Sequence, residues 1–214
     1  MFIELIDLLR CPEPHRESSL VAAFSEMRER FVIEARLGCP ECGASYAISA
    51  GVADFTGQRA PDRFLADDRL TSPGDEADDE EAGYRTAAML GLSRPGSLVV
   101  LDEYLHESAA RVAMIAEAQV IVVNPSVAVE DTERVAVVLS RDRVPLGIAS
   151  ADAVASSRIV EGARLLRSGG RLVAPAATHL GTQFVELARD DAWVVAERVS
   201  ELIPISVVRN TSRR

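Results

Sequence analysis

Apolar residues follow two different rhythms along this chain. Up to residue 57 they come in short runs broken by polar positions, whereas beyond residue 97 they come in solid, valine-rich blocks of four or five. Broken runs suit strands with one wet face, and solid blocks suit strands buried on both faces of a parallel sheet. In the first regime, Leu20 to Phe24 and Phe31 to Leu37 flank Ser25-Glu26-Met27-Arg28-Glu29-Arg30 and predict a hairpin. Ser45 to Ser49 and Gly51 to Phe55 predict two further short strands, and Met1 to Arg10 predicts a short helix or turn laid over an apolar surface.

In the second regime, Tyr84 to Leu92 has helical character, and Leu98 to Asp102 follows the turn Pro95-Gly96 as a buried strand. Ala109, Val112, Ala113 and Ile115 then mark one face of a helix running to about Glu117. Val120 to Val123, Val135 to Leu139 and Val144 to Ala149 read as strands two to four, Ala151 to Arg167 as a helix stopped by Ser168-Gly169-Gly170, and Arg171 to Ala174 as strand five. Phe184 to Arg189 and Ala192 to Glu197 alternate around Asp190-Asp191 and predict a hairpin, with Ile205 to Val208 a last strand. The expected organisation is a β-rich unit over 1–57, an acidic linker over 58–83, and an α/β unit with a doubly wound sheet over 84–214. Few residues between strands two and four are left for helices, so one sheet face is expected to be thinly covered and open to a partner or a second copy.

Composition narrows the function classes. Apolar content of 48% and charged content of 26% are ordinary for a globular chain. No run of about 18 apolar residues predicts a membrane span, the N-terminus lacks a basic segment followed by an apolar one, and a cytoplasmic protein is expected. All 23 basic residues are arginine, which excludes a phosphate-loop lysine, a Schiff base and a lysine general base. From Asp62 to Ala82 nine acids face two arginines, a net of −7 out of the chain's −10. With no basic face left over, nucleic-acid binding by the whole chain is not expected.

The three cysteines and one of the three histidines all fall in the first 57 residues. Cys39-Pro40-Glu41-Cys42-Gly43 has the form of a zinc knuckle, whose turn directs backbone amides at both thiolates. Cys11 and His15 would complete a Cys3His tetrahedron across the hairpin. Structural zinc on Cys11, His15, Cys39 and Cys42 stands beside two plainer readings: a redox thiol pair, and free cysteines near an unrelated surface histidine. Zinc is the expected one, because a redox Cys-x2-Cys belongs in a βαβ pattern and a unit this small needs a staple.

Leu5-Ile6-Asp7-Leu8-Leu9-Arg10-Cys11-Pro12, Cys39-Pro40-Glu41-Cys42-Gly43, and Tyr46-Ala47-Ile48 ahead of Gly51-Val52-Ala53-Asp54-Phe55 together resemble the zinc-ribbon family whose small members activate methyltransferases acting on transfer RNA and translation factors. The resemblance implies a ribbon that binds a methyltransferase domain; it departs at Pro14, where a second cysteine is expected. The region from Tyr84 onward, with five parallel strands, Leu-Leu-Arg-Ser-Gly-Gly-Arg-Leu-Val at Leu165 to Val173 and a closing hairpin, resembles class I S-adenosylmethionine-dependent methyltransferases. That resemblance implies a Rossmann-like fold of the methyltransferase type, with the cofactor beyond the carboxyl end of strand one. Three cofactor-facing positions depart from it: Tyr104 and His106 stand where glycines belong, Asn124 replaces the acid that holds the ribose, and Ala149-Ser150-Ala151 stands in for the motif after strand four.

The chain is therefore expected to be a non-catalytic binding or regulatory protein that has lost its cofactor loop, with S-adenosylmethionine not bound and a protein partner or a second copy as its ligand. The alternative is an active methyltransferase with an atypical cofactor site. Among single residues, His106 is expected to be a capped surface residue, His179 a helix-entry residue, and Trp193 hairpin packing. Ser150 and Asp152 form no triad with any histidine.

Overall fold

The computed structural model describes residues 1–57, 76–102, 104–126, 129 and 132–199. Its strands are β1 (Val21–Arg28), β2 (Phe31–Gly38), β3 (Ser45–Ser49), β4 (Val52–Asp54), β5 (Leu98–Asp102), β6 (Gln119–Val123), β7 (Val135–Leu139), β8 (Ala151–Ala155), β9 (Leu166–Pro175), β10 (Phe184–Arg189) and β11 (Trp193–Arg198). The helices are α1 (Ile3–Ile6), α2 (Glu76–Met89), α3 (Ala109–Ile115) and α4 (Ile159–Leu165), with a 3-10 turn at His106–Ser108 before α3. The predicted strand at Ile205 to Val208, Glu103 of the turn, and the stretch 58–75 lie outside the described residues.

All eleven strands form one sheet, in the order β1-β2-β3-β4-β7-β6-β5-β8-β9-β11-β10. Its centre is the doubly wound core: β7, β6, β5, β8 and β9 are mutually parallel, and β11 returns antiparallel beside β9 to close with β10. This is a Rossmann-like topology closed by an antiparallel pair of strands. The β-rich unit is antiparallel within itself and joins the sheet through β4, which runs parallel to β7 with Ala53 opposite Val138 and Asp54 opposite Leu139. The Phe55 amide extends this pairing by donating to the Leu139 carbonyl at 2.8 Å.

Valine-rich strands alternate their side chains between two cores. Val99, Leu101, Val120 and Val122 pack with Val112 and Ala113 of α3 and with Leu90 beyond α2. Leu98, Val100, Ile121 and Val123 face the other way, into a cluster that holds Met1, Leu5 and Leu9 together with Leu146 and Leu165. The sheet face expected to be thinly covered is thus buried by the N-terminal segment, which substitutes for the short connections after β6 and β7. Leu9 bridges Leu146, and the Arg10 amide donates to the Pro145 carbonyl at 2.8 Å. Exposed apolar side chains remain on the two outermost strands, at Val21, Phe24 and Met27 of β1 and at Val185 and Leu187 of β10.

The assignment around strand four is corrected. Val144 to Ala149 is not a strand: Pro145 and Gly147 interrupt it, and its apolar residues Val144 and Leu146 are core plugs in a loop. Strand four is instead Ala-Asp-Ala-Val-Ala at β8, the start of the predicted helix, and only Ile159–Leu165 is helical. Small side chains fit a strand squeezed between β5 and β9, and that tertiary slot overrides the helix preference of alanine. Helical character expected over Tyr84 to Leu92 is observed over Glu76–Met89.

Candidate functional site

The knuckle is built by local backbone geometry. β2 ends at Gly38, the Cys39 amide donates to the Ala44 carbonyl at 2.8 Å, and the Gly43 amide donates to the Cys39 carbonyl at 3.0 Å. Gly43 turns the chain into β3 at φ +73, a conformation other residues adopt only with strain. The facing loop is pinned where the Cys11 amide donates to the Ser18 carbonyl at 3.0 Å.

This places one ligand atom each from Cys11, His15, Cys39 and Cys42 within 4.8 Å of one another. Cys11 Sγ lies 3.8 Å from Cys42 Sγ, and His15 Nε2 lies 3.4 Å from Cys39 Sγ. A tetrahedral zinc with ordinary bond lengths needs S···S separations of about 3.8 Å and S···N separations of about 3.5 Å. His15 Nδ1 lies 2.5 Å from the Arg16 carbonyl, which can only accept, so the proton sits on Nδ1 and Nε2 keeps its lone pair toward the thiols. That orientation explains how a histidine one residue beyond Pro14 reaches the cluster.

The thiols differ electrostatically. Burial pushes Cys11 up to about 11, against hydrogen bonds from Tyr46 and the Glu13 backbone. Burial also acts to raise Cys39, but the backbone amides of Cys42 and Glu41 outweigh it and hold that thiol down at about 6. Tyr46, 3.4 Å from Cys11 Sγ, is itself raised by burial and by that thiol.

At the carboxyl edge of the parallel strands several side chains bond back onto the chain itself. Asp102, closing β5, is 1% exposed. Its Oδ2 accepts hydrogen bonds from Ser156 Oγ and Arg158 Nε, both at 2.8 Å. Arg158 also donates from Nη1 to the Asp142 carbonyl at 3.0 Å, so its guanidinium spans from the end of β5 to the loop after β7. Leu105 sits at φ +60 where a glycine would be at ease, and Tyr104 leans edge-on against Trp193 at 5.7 Å between ring centroids. Asn124 turns sideways: its Oδ1 accepts from the Ser140 amide at 2.9 Å and its Nδ2 donates to the Ser140 carbonyl at 2.7 Å. Both ends of this amide clip β6 to β7.

Several single-residue expectations change. His106 is not a surface residue: it is 7% exposed, because the 3-10 turn rolls it inward, and Nε2 lies 3.1 Å from Ser126 Oγ. His179 enters no helix, since residues 176–183 between β9 and β10 form an irregular loop in which it is exposed. The segment after strand four is Ser156-Ser157-Arg158 rather than Ala149-Ser150-Ala151, as the shift of β8 requires. Arg158 was invisible to sequence reading for that reason, being assigned to the middle of a helix. Asp152 is structural: Oδ1 meets Arg167 Nε at 2.5 Å and Oδ2 accepts from the Leu98 amide at 2.8 Å.

No family model and no curated protein matches the chain. Among solved structures it is similar to an S-adenosyl-L-methionine methyl transferase from Silicibacter pomeroyi DSS-3, at 15% identity and a TM-score of 0.43, covering 59% of this chain and 98% of that one. A putative S-adenosyl-L-methionine-dependent methyltransferase from Methanococcus maripaludis matches at 9% identity and a TM-score of 0.42, over 59% of this chain and 88% of that one. A complex between the Haloferax volcanii Trm112 methyltransferase activator and a putative methyltransferase matches at 18% identity and a TM-score of 0.36, over 45% of this chain and 52% of that one.

Proposed function

We propose that this chain is a non-catalytic binding or regulatory protein. In this reading an activator-type zinc ribbon and a methyltransferase-type domain are fused in one polypeptide, and the second has given up its methyl donor. The observation that carries it is the Asp102–Arg158–Ser156 cluster, which commits the acid at the end of β5 to the chain's own cation. The Asn124 clip supports it, since the residue at the ribose-binding position spends both side-chain groups on Ser140. The expected thermal-shift result is no change in Tm with about 1 mM S-adenosylmethionine, whereas a ligand at about a hundred times its Kd adds nearly 3 kcal/mol and a clear upward shift. Such a shift would favour the active-methyltransferase reading.

The ribbon's role in this proposal is structural. Cys11, His15, Cys39 and Cys42 hold one zinc, which ties the two loops of a unit too small to be secure on its core alone. Metal analysis of the purified chain should find about one zinc per molecule; a folded, metal-free protein would refute the assignment. The exposed apolar side chains on β1 and β10 support a protein partner or a second copy as the ligand. No helix among the described residues is long and apolar enough to cross a membrane.

A further inference from the structure

A cavity lies where the two units meet, and Arg158, which bonds both the Asp102 carboxylate and the Asp142 carbonyl in the cavity wall, links the two places. The cavity has a volume of about 370 Å³ and is lined from one side by the Cys11–His15 loop and Tyr46, and from the other by Ser140 to Arg143. Phe55, Thr56 and Gly57, which follow β4, complete the wall. Because β4 and β7 are parallel neighbours, the cavity stands beyond the carboxyl ends of two adjacent parallel strands. Doubly wound sheets take their ligands at that edge. Here β4 of the β-rich unit has extended the sheet past β7 and so created a position that the α/β unit alone does not have.

The lining has a definite chemistry. Arg141 and Arg143 both line the cavity, and neither guanidinium meets a hydrogen-bond or ion-pair partner among the described residues. Two acids share the lining: Glu13 accepts from the Tyr46 hydroxyl at 3.4 Å, and Asp142, whose backbone carbonyl takes Arg158, adds a second carboxylate beside the two arginines. Two uncommitted guanidiniums on one wall suit a phosphate, which arginine grips through paired N–H groups. The apolar lining comes from Tyr46 and Phe55, whose rings pack at 4.6 Å between centroids, and from Pro12 and Pro14. Aromatic and proline surfaces suit a planar ring. The volume lies within the range of small-molecule sites.

We infer that this cavity is a binding site for a mononucleotide, with Arg141 and Arg143 on the phosphate and Tyr46 and Phe55 beside the base. The site goes beyond the functional reading above: it uses none of the four proposed metal ligands, although residues 12–14 of its wall lie between two of them and Tyr46 touches the Cys11 thiol. A mononucleotide is also compatible with the acidic chain as a whole, because the contact needs only two local cations rather than a basic face.

The test is titration calorimetry on the full chain with AMP, UMP, inorganic phosphate, adenosine and a single-stranded ten-nucleotide RNA as probes. Saturable binding of both mononucleotides with Kd of about 10 to 500 µM is expected, with phosphate and adenosine each at least about tenfold weaker. The R141Q/R143Q double variant should weaken AMP at least about tenfold while leaving the Tm unchanged, as expected of cations that hold nothing in the fold. The inference is overturned by no binding of either mononucleotide at about 5 mM, or by phosphate or adenosine alone binding as well as AMP. Unaltered AMP affinity in the double variant overturns it too, and RNA binding more than about tenfold tighter than AMP would reassign the surface to a polymer.

Discussion

Asp102 and Arg158 show what it takes to keep a carboxylate at the end of a buried central strand. A carboxylate buried at the end of a central strand costs several kcal/mol to desolvate and is tolerated only with a cation or good donors beside it. Arg158 and Ser156 supply both, at 2.8 Å each. Removing the cation leaves the charge stranded, so Arg158→Ala should lower the unfolding free energy by about 3 to 5 kcal/mol in urea titrations; a loss below about 1 kcal/mol would show the pair to be ornamental. The thiols carry a second prediction. Cys39, near 6, is already a thiolate at pH 7, whereas Cys11, near 11, must surrender a proton to a metal. Protons and metal therefore compete, and zinc affinity measured against a chromogenic chelator should fall by at least about tenfold for each pH unit between 7.5 and 5.5. An affinity independent of pH in that window would rule out thiolate ligation. The knuckle was legible in the sequence because its turn is local, from Cys39 through Gly43. Burial of His106 was not, because it depends on how the turn after β5 rolls toward Ser126, which no spacing encodes.

At the scale of elements, periodicity served well where burial and chain order agree. The blocks at Leu98, Val120 and Val135 are strands because nothing else buries four or five consecutive valine-type residues so completely. It failed at β8, where alanines usually seen in helices fill the place between β5 and β9 and the apolar run before them is a loop. It also could not see that α1 and the following residues would roof the sheet, since the partner of Leu9 is Leu146, far away in sequence. That roof makes a prediction of its own. Leu9 is 1% exposed, and Leu9→Ala should cost about 2 to 5 kcal/mol through the cavity it leaves. The loss should appear in the unfolding of the α/β unit as well as the ribbon; an effect confined to the zinc-binding signal would show that the segment belongs to the ribbon alone.

For the whole molecule, one sheet running from β1 to β10 means that the division into a small unit and a large one is a matter of sequence more than of stability. The cluster containing Cys11, Cys39 and Tyr46 is the same cluster that contains Val100, Ile121 and Leu172. Scanning calorimetry should accordingly give a single cooperative transition with equal calorimetric and van't Hoff enthalpies, and a chelator should lower its midpoint as a unit. Two resolved transitions would contradict the shared core. Function at this scale turns on whether the carboxyl edge of the parallel strands is occupied by the protein itself. The most direct measurement is titration calorimetry of the full chain with S-adenosylmethionine. The proposed loss of the methyl donor predicts no binding up to about 1 mM, and saturable binding in the micromolar range would contradict it.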